Sequence, residues 1–261
     1  MLLNCEIFCL QNSTVKKVFL TKFATFFTKM ASDARFQLFV KAGKDGKCVG
    51  DCPFSQRANM YAHLTLKKNE FEITPVNTNN KPDYFLKINR EGKVPVLVDR
   101  QQGNKVISDS AEITKYINEL YPKPALKQGY TGPGDACTGG IFPKFAAMMK
   151  NKDESKDSEL KQALIDELKK LNDYLTNKEC SGNFLLCDNL CELDCQVLPK
   201  LRHVQVAGDY YKKCKIPEDF TALQEYIKQG ESSDIFKSTC APDEEFIWGW
   251  SKFFPEIDTS S

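Results

Sequence analysis

Histidine is scarce, with 2 in 261 residues, and tryptophan equally so. No histidine and no fourth cysteine follows Cys187, Cys191 and Cys195 at the spacing a zinc finger needs, so this run is not read as a metal centre. Net charge is close to zero: 36 Lys and Arg against 35 Asp and Glu leave +1. That balance gives no electrostatic case for binding nucleic acid. No apolar run reaches the roughly 18 residues of a membrane-spanning helix, which argues against a constitutive one. No secretory signal precedes the 11 cysteines, which are too sparse for a disulfide scaffold. A reducing, cytoplasmic setting fits them better. What is present is an ordinary globular composition, 41% hydrophobic and 27% charged, at a length that suits one or two domains.

Residues 1–34 read as a leader. Val15, Val18, Phe19, Phe23, Phe26 and Phe27 recur at helical spacing beside Lys16, Lys17, Lys22 and Lys29. Such a helix suits an anionic membrane surface. It also suits a transit peptide, although the lack of arginine speaks against that. An unstructured leader, or translation from Met30, is the simpler reading.

Between 35 and 122, apolar runs and turn residues alternate. Phe36 to Val40 is a short strand. Pro53 to about Lys67 carries Phe54, Ala58, Tyr61, Ala62 and Leu66 at helical intervals. Phe71, Ile73 and Pro75 alternate with polar residues, as in a half-buried strand. Lys81 to Phe85 opens a short helix. Val94 to Val98 is a strand whose proline belongs at an edge or at the first position, because proline cannot donate to a ladder. Lys105 to Ile107 is another strand. Ser108-Asp109-Ser110-Ala111-Glu112 starts a helix that runs to about Leu120. The order β-α-β-α-β-β-α is thioredoxin-like, and such folds place their site at the carboxyl end of a strand.

Gly50-Asp51-Cys52-Pro53-Phe54-Ser55-Gln56 lies at such an end. Proline is favoured at the first helical position, since its missing N–H would be unpaired there. Cys52 is then the N-cap. Its sulfur faces the N–H groups of Phe54 and Ser55 and the positive end of the helix. Both favour the reactive thiolate. Arg57 adds positive charge and Asp51 opposes it. A small buried cysteine at a helix start is the other reading of the same residues. Cys48 is a second thiol nearby. Cys48 and Cys52 are separated by three residues rather than the two of dithiol oxidoreductases, so a resolving role needs the loop to bend.

Cys52-Pro53-Phe54-Ser55-Gln56, followed by Val94-Pro95 and Ser108-Asp109-Ser110, resembles the glutathione S-transferase superfamily. Val40-Lys41-Ala42-Gly43, leading through Gly50-Asp51 into Cys52 to Arg57, resembles the chloride intracellular channel (CLIC) family most. Asn80 to Phe85 with Gly92 to Leu97 resembles the omega-class transferases. The resemblance implies a thioredoxin-like glutathione-binding domain at 35–122 and an all-helical domain at 130–261. It implies glutathione as co-substrate and no metal. Cys52 would be catalytic, with Pro53 and Phe54 beside it. Val94 would pair with the cysteinyl backbone ahead of a cis Pro95. Asp109 and Ser110 would take the γ-glutamyl group, and Lys81 the glycine carboxylate. The chemistry is coherent: the Ser110 N–H opens a helix and suits a carboxylate, Asp109 suits an ammonium, and Lys81 is a point charge.

After the turn-rich stretch from Pro122 to Gly140, helical period dominates. Ile141, Phe142, Phe145, Ala146 and Met149 share a face, and so do Leu160, Leu164, Leu168, Leu171 and Leu175. Leu190 to Leu201 is again CLIC- and transferase-like. There the helix opens on a hydroxyl residue and closes a capping box with the Asp three residues on. Here Cys191 replaces the hydroxyl. A thiol is a weak acceptor, which predicts a cap weaker by ~1 kcal/mol. Cys187, Cys191 and Cys195 would share a face, most simply as buried residues with one solvent-facing thiol.

Three functions follow. The first is a glutathione-dependent monothiol oxidoreductase acting on mixed disulfides or small oxidants such as dehydroascorbate. A cysteine in place of Tyr or Ser argues against efficient glutathione conjugation, because no hydroxyl stabilises a glutathione thiolate. The second, implied by the CLIC resemblance, is a protein that associates reversibly with membrane lipids and forms a chloride channel. The corresponding segment, Cys52 to Val76, carries Arg57, His63, Lys67, Lys68, Glu70 and Glu72, which are costly in hydrocarbon. The third is a scaffold with a relict fold. A monomer, or an oligomer that depends on redox state, suits all three.

Overall fold

The computed structural model describes residues 33–180, 182–186 and 188–257. The N-terminal apolar stripe and Cys187 lie outside them. Phe36–Lys41 forms β1, Pro53–Thr65 α1, Phe71–Val76 β2, Asp83–Ile88 α2, Val96–Asp99 β3, Lys105–Ser108 β4 and Ser110–Leu120 α3. The sheet order is β2-β1-β3-β4. β1 runs parallel to β2 and antiparallel to β3, and β3 runs antiparallel to β4. This is the thioredoxin-like arrangement that the element order implies.

Alternation along β1 divides the two faces of the sheet. Phe36, Leu38 and Val40 point to a core shared with α1 and α3, through Ala58, Tyr61, Ala62, Ile113 and Ile117. Phe39 points to the other face with Val76, Phe85, Val96 and Val98. Pro75 lies on β2, an edge strand, where its missing N–H costs no ladder bond. Val94 and Pro95 fall just before β3 rather than inside it, and the peptide between them is cis.

From Ile141 onward the regular elements among the described residues are helical. Ile141–Lys150 is α4, Asp157–Asn177 α5, Glu192–His203 α6, Thr221–Ser232 α7 and Asp243–Ser251 α8, with shorter turns between. α6 continues through a π-helical stretch, Val204–Gly208, into Asp209–Lys212. The leucine stripe is buried at Leu164, Leu168, Leu171 and Leu175. α1 joins the two layers: Ala58, Tyr61 and Ala62 serve the sheet core, while Met60 belongs to the helical one. Arg57 on α1 reaches across to Glu192 at the start of α6, with Nε 2.9 Å from Oε1.

Candidate active site

Cys52 is the N-cap of α1 and Pro53 its first helical residue. The Cys52 carbonyl accepts the first helical bond, from the Gln56 N–H at 3.0 Å. The thiol does not become a ready thiolate through position alone. Burial pushes it above its ordinary value, and the Asp51 charge adds to that. The Ser55 hydroxyl and the N–H groups of Ser55 and Phe54 pull the other way without closing a cap bond on the sulfur. Arg57, expected to help, is held by Glu192 instead. Asp51 is buried, and its carboxylate is paired with Lys41. Cys48 is exposed, and its thiol is pushed up by the hydrogen bond to the Asp45 carboxylate.

A cleft of about 520 Å³ opens here. Phe54, Lys81, Val94, Pro95 and Asp109 line it, with Thr78, Gly92 and Lys93. Of the eight residues the sequence singles out, Cys52, Pro53 and Ser110 do not face it. Gly92 adopts φ +63°, and a Cβ there would stand 2.6 Å from Lys81 Cδ, so the glycine leaves the lysine stem its room. Asp109 is held at φ 79°, where non-glycine residues are strained. Its Oδ1 caps α3 by accepting from the Ala111 N–H at 2.7 Å. Strain of this kind collects at ligand clamps. Ser110 is 1% exposed and its hydroxyl oxygen has no protein partner, but it lies behind Asp109 rather than on the cleft wall. Cation and carboxylate together, Lys81 and Asp109, suit a small zwitterionic peptide. Phe54 is 41% exposed at the cleft and packs edge-on against Phe142 of α4.

A smaller cleft, about 230 Å³, shares Thr78 with the first and is lined by Lys41, Asn79, Trp248, Gly249, Ser251 and Lys252. Sequence reasoning assigned no role to these residues. It also missed His203, which reaches the residue before Cys52, and Trp250, which bonds to His203. Among the described residues, no group of three or more His, Cys, Asp or Glu is placed to hold a metal ion. None of the described helices is long and apolar enough to cross a membrane.

Residues 51–120 match the model of the glutathione S-transferase N-terminal domain. A probable glutathione S-transferase from Oryza sativa subsp. japonica, DHAR1, cytosolic, is 41% identical over 204 residues, covering 78% of this chain and 90% of the relative. Glutathione S-transferase DHAR2 of Arabidopsis thaliana is 38% identical, over 77% of this chain and 90% of its own length. The crystal structure of Chlamydomonas reinhardtii dehydroascorbate reductase superposes with a TM-score of 0.74 at 25% identity, over 85% of this chain and 100% of that one. The CLIC homologue EXC-4 from C. elegans superposes with a TM-score of 0.73 at 19% identity, over 85% and 87%. This last likeness is one of fold.

Proposed function

The chain belongs to the glutathione S-transferase family, and from that premise we propose that it is a glutathione-dependent thiol reductase of small oxidants, with dehydroascorbate as its substrate. One observation supports this most: a single thiol opens α1 beside a cleft that offers both a cation, Lys81, and a carboxylate, Asp109. Glutathione has the complementary groups. Lys81 takes its glycine carboxylate, Val94 its peptide backbone, and Asp109 with Ser110 its γ-glutamyl end. Phe54 lines the cleft beside the sulfur, and Pro53 starts the helix behind it. The oxidant sits in the smaller cleft, where Lys41 and Lys252 offer donors to its oxygens and Trp248 a flat face.

Cys52 and one glutathione together lose two electrons and two protons to dehydroascorbate, leaving ascorbate and a Cys52–glutathione disulfide. A second glutathione thiolate attacks that disulfide, releases glutathione disulfide and restores the Cys52 thiolate. Binding glutathione lowers the cost of ionising the buried thiol by supplying its own amide dipoles.

The test is turnover of dehydroascorbate with glutathione, in the wild type and in Cys52→Ser. Wild-type turnover that drops by about 1000-fold or more in Cys52→Ser supports the proposal. Retained turnover in the variant, or none in the wild type, sinks it. The chloride-channel reading keeps the support of fold likeness alone. Its proposed membrane segment is α1 with β2 here, and inserting it would strip Arg57 from Glu192 in hydrocarbon. Chloride flux across vesicles under oxidation would restore that reading.

A further inference from the structure

Asp51, the residue before Cys52, is gripped from the helical layer, and none of the gripping groups lies in the larger cleft. Its backbone carbonyl is 2.6 Å from His203 Nε2 at the end of α6. On the other side of that ring, Trp250 Nε1 of α8 donates to His203 Nδ1 at 3.0 Å. Its carboxylate lies against Gly249, where a Cβ would stand 2.1 Å from Asp51 Oδ2. The ring of His203 is buried among Phe142, Phe145, Phe246 and Trp250.

These partners fix the protonation of His203. A carbonyl oxygen only accepts, so Nε2 carries the hydrogen. An indole N–H only donates, so Nδ1 carries none. A second ring proton would set two N–H donors against each other. Burial acts in the same direction and pushes the pKa down to about 4. The imidazole is therefore a neutral, oriented donor aimed at one peptide group.

We propose that His203 is a positioning residue for the Cys52 thiol, clamping the Asp51–Cys52 peptide so that the sulfur stays over the N–H groups that open α1, with Trp250 setting the tautomer that does so. The Asp51–Cys52 peptide is the pivot on which Cys52 Cβ swings, and Cys52 keeps its cap geometry of φ −68°, ψ 116° while that plane is held. A freed plane rotates, and the sulfur moves off the Phe54 and Ser55 donors that favour its ionised form. A thiol that ionises one pH unit later offers about tenfold less thiolate at neutral pH. The consequence for turnover rests on the reductase reading above, whereas the consequence for thiol reactivity does not.

The experiment follows alkylation of Cys52 by iodoacetamide, read on its own peptide by mass spectrometry, as a function of pH. His203→Phe fills the ring's space and removes both nitrogens. Its Cys52 alkylation at pH 7 is expected to fall about tenfold, with the profile moved up by about one pH unit. Trp250→Phe leaves the ring free to take either tautomer and is expected to cost about threefold. His203→Gln, which keeps an N–H donor, is expected to restore most of the wild-type profile. In the dehydroascorbate assay kcat falls in step while the KM for glutathione stays within about twofold, because the cleft is untouched. Unchanged Cys52 profiles in Trp250→Phe and His203→Phe overturn the proposal, whatever the turnover. Should His203→Phe fail to fold, an unchanged profile in Trp250→Phe alone overturns it. A wild type without reductase turnover sinks the functional reading and leaves the alkylation profile to decide the role of His203.

Discussion

Cys52 opens α1 and Cys191 opens α6, both in extended backbone and both at the positive end of a helix. From there they diverge. The first turn of α1 holds no acid, and Cys52 is half-buried close behind a cleft. The first turn of α6 holds Glu192 and Asp194, and Cys191 is fully buried. Burial raises both thiols. At Cys191 the Asp194 charge adds to it, while at Cys52 the Ser55 hydroxyl and two N–H groups resist. A helix N-terminus therefore does not make a reactive thiol. The charge carried in the first turn, and access to a second reactant, decide between a redox centre and a rivet.

The rivet is the better secured of the two ends, and removing its carboxylate breaks the comparison most. Asp194 is fully buried and accepts three bonds. Oδ2 takes the Cys191 N–H at 2.8 Å, and Oδ1 takes the Leu185 N–H at 3.0 Å and the Tyr226 hydroxyl at 2.9 Å. Asp194→Asn keeps one acceptor and turns an amide N–H₂ towards a donor. The expected loss is about 4 kcal/mol of unfolding free energy in urea, with Cys52 alkylation unaltered in the folded protein. A change below about 0.5 kcal/mol would show that the two helix ends are not secured differently.

Acid attacks the other end. Asp51 at the Cys52 end hangs on a neutral imidazole faced by Lys41 as well as by Asp51 itself. The folded pKa of His203, about 4, lies below the ordinary 6.5. The unfolded chain therefore binds this proton more readily, and stability falls as pH falls. The contribution is intact above pH 6.5, drains as the pH drops towards 4 and levels off below, up to about 3 kcal/mol in all. Urea unfolding at pH 7 and pH 5 should show a smaller acid loss in His203→Gln than in the wild type. Equal losses would mean that His203 does not titrate on unfolding.

How much of this could be read in the sequence follows from distance along the chain. Strand and helix positions from 36 to 120 are marked locally, by alternation, by Pro53 at a helix start and by Asp109 before Ser110. The leucine stripe marks α5 in the same way. The cleft draws on residues from Phe54 to Asp109, and no periodicity connects them; only resemblance gathered Lys81, Val94 and Asp109. His203 meets Asp51 across 152 positions and Trp250 across 47, so nothing near either residue announces the contact. Arg57 shows the opposite error. Its closeness to Cys52 in sequence suggested a charge for the thiol, and a partner 135 positions away, Glu192, holds it instead.

The smallest expected effect tests the cap itself. A thiol in place of a hydroxyl at Cys191 should cost ~1 kcal/mol if the sulfur were the main acceptor at this helix end. The stronger half of the capping box, the Cys191 N–H to Asp194 bond, is already present and does not depend on the sulfur. Only the half in which the Asp194 N–H turns back on the side chain stands to improve. Cys191→Ser places a better acceptor there, and its own hydroxyl hydrogen can be donated to the adjacent Asp194 carboxylate, so no new buried donor is orphaned. Against this, serine fills less volume than cysteine at a fully buried site and gives up some apolar contact. The net expectation is a gain of about 0.5 kcal/mol in urea unfolding, with reductase turnover unchanged. A loss greater than about 1 kcal/mol would mean that packing of the sulfur, rather than capping, is what Cys191 contributes.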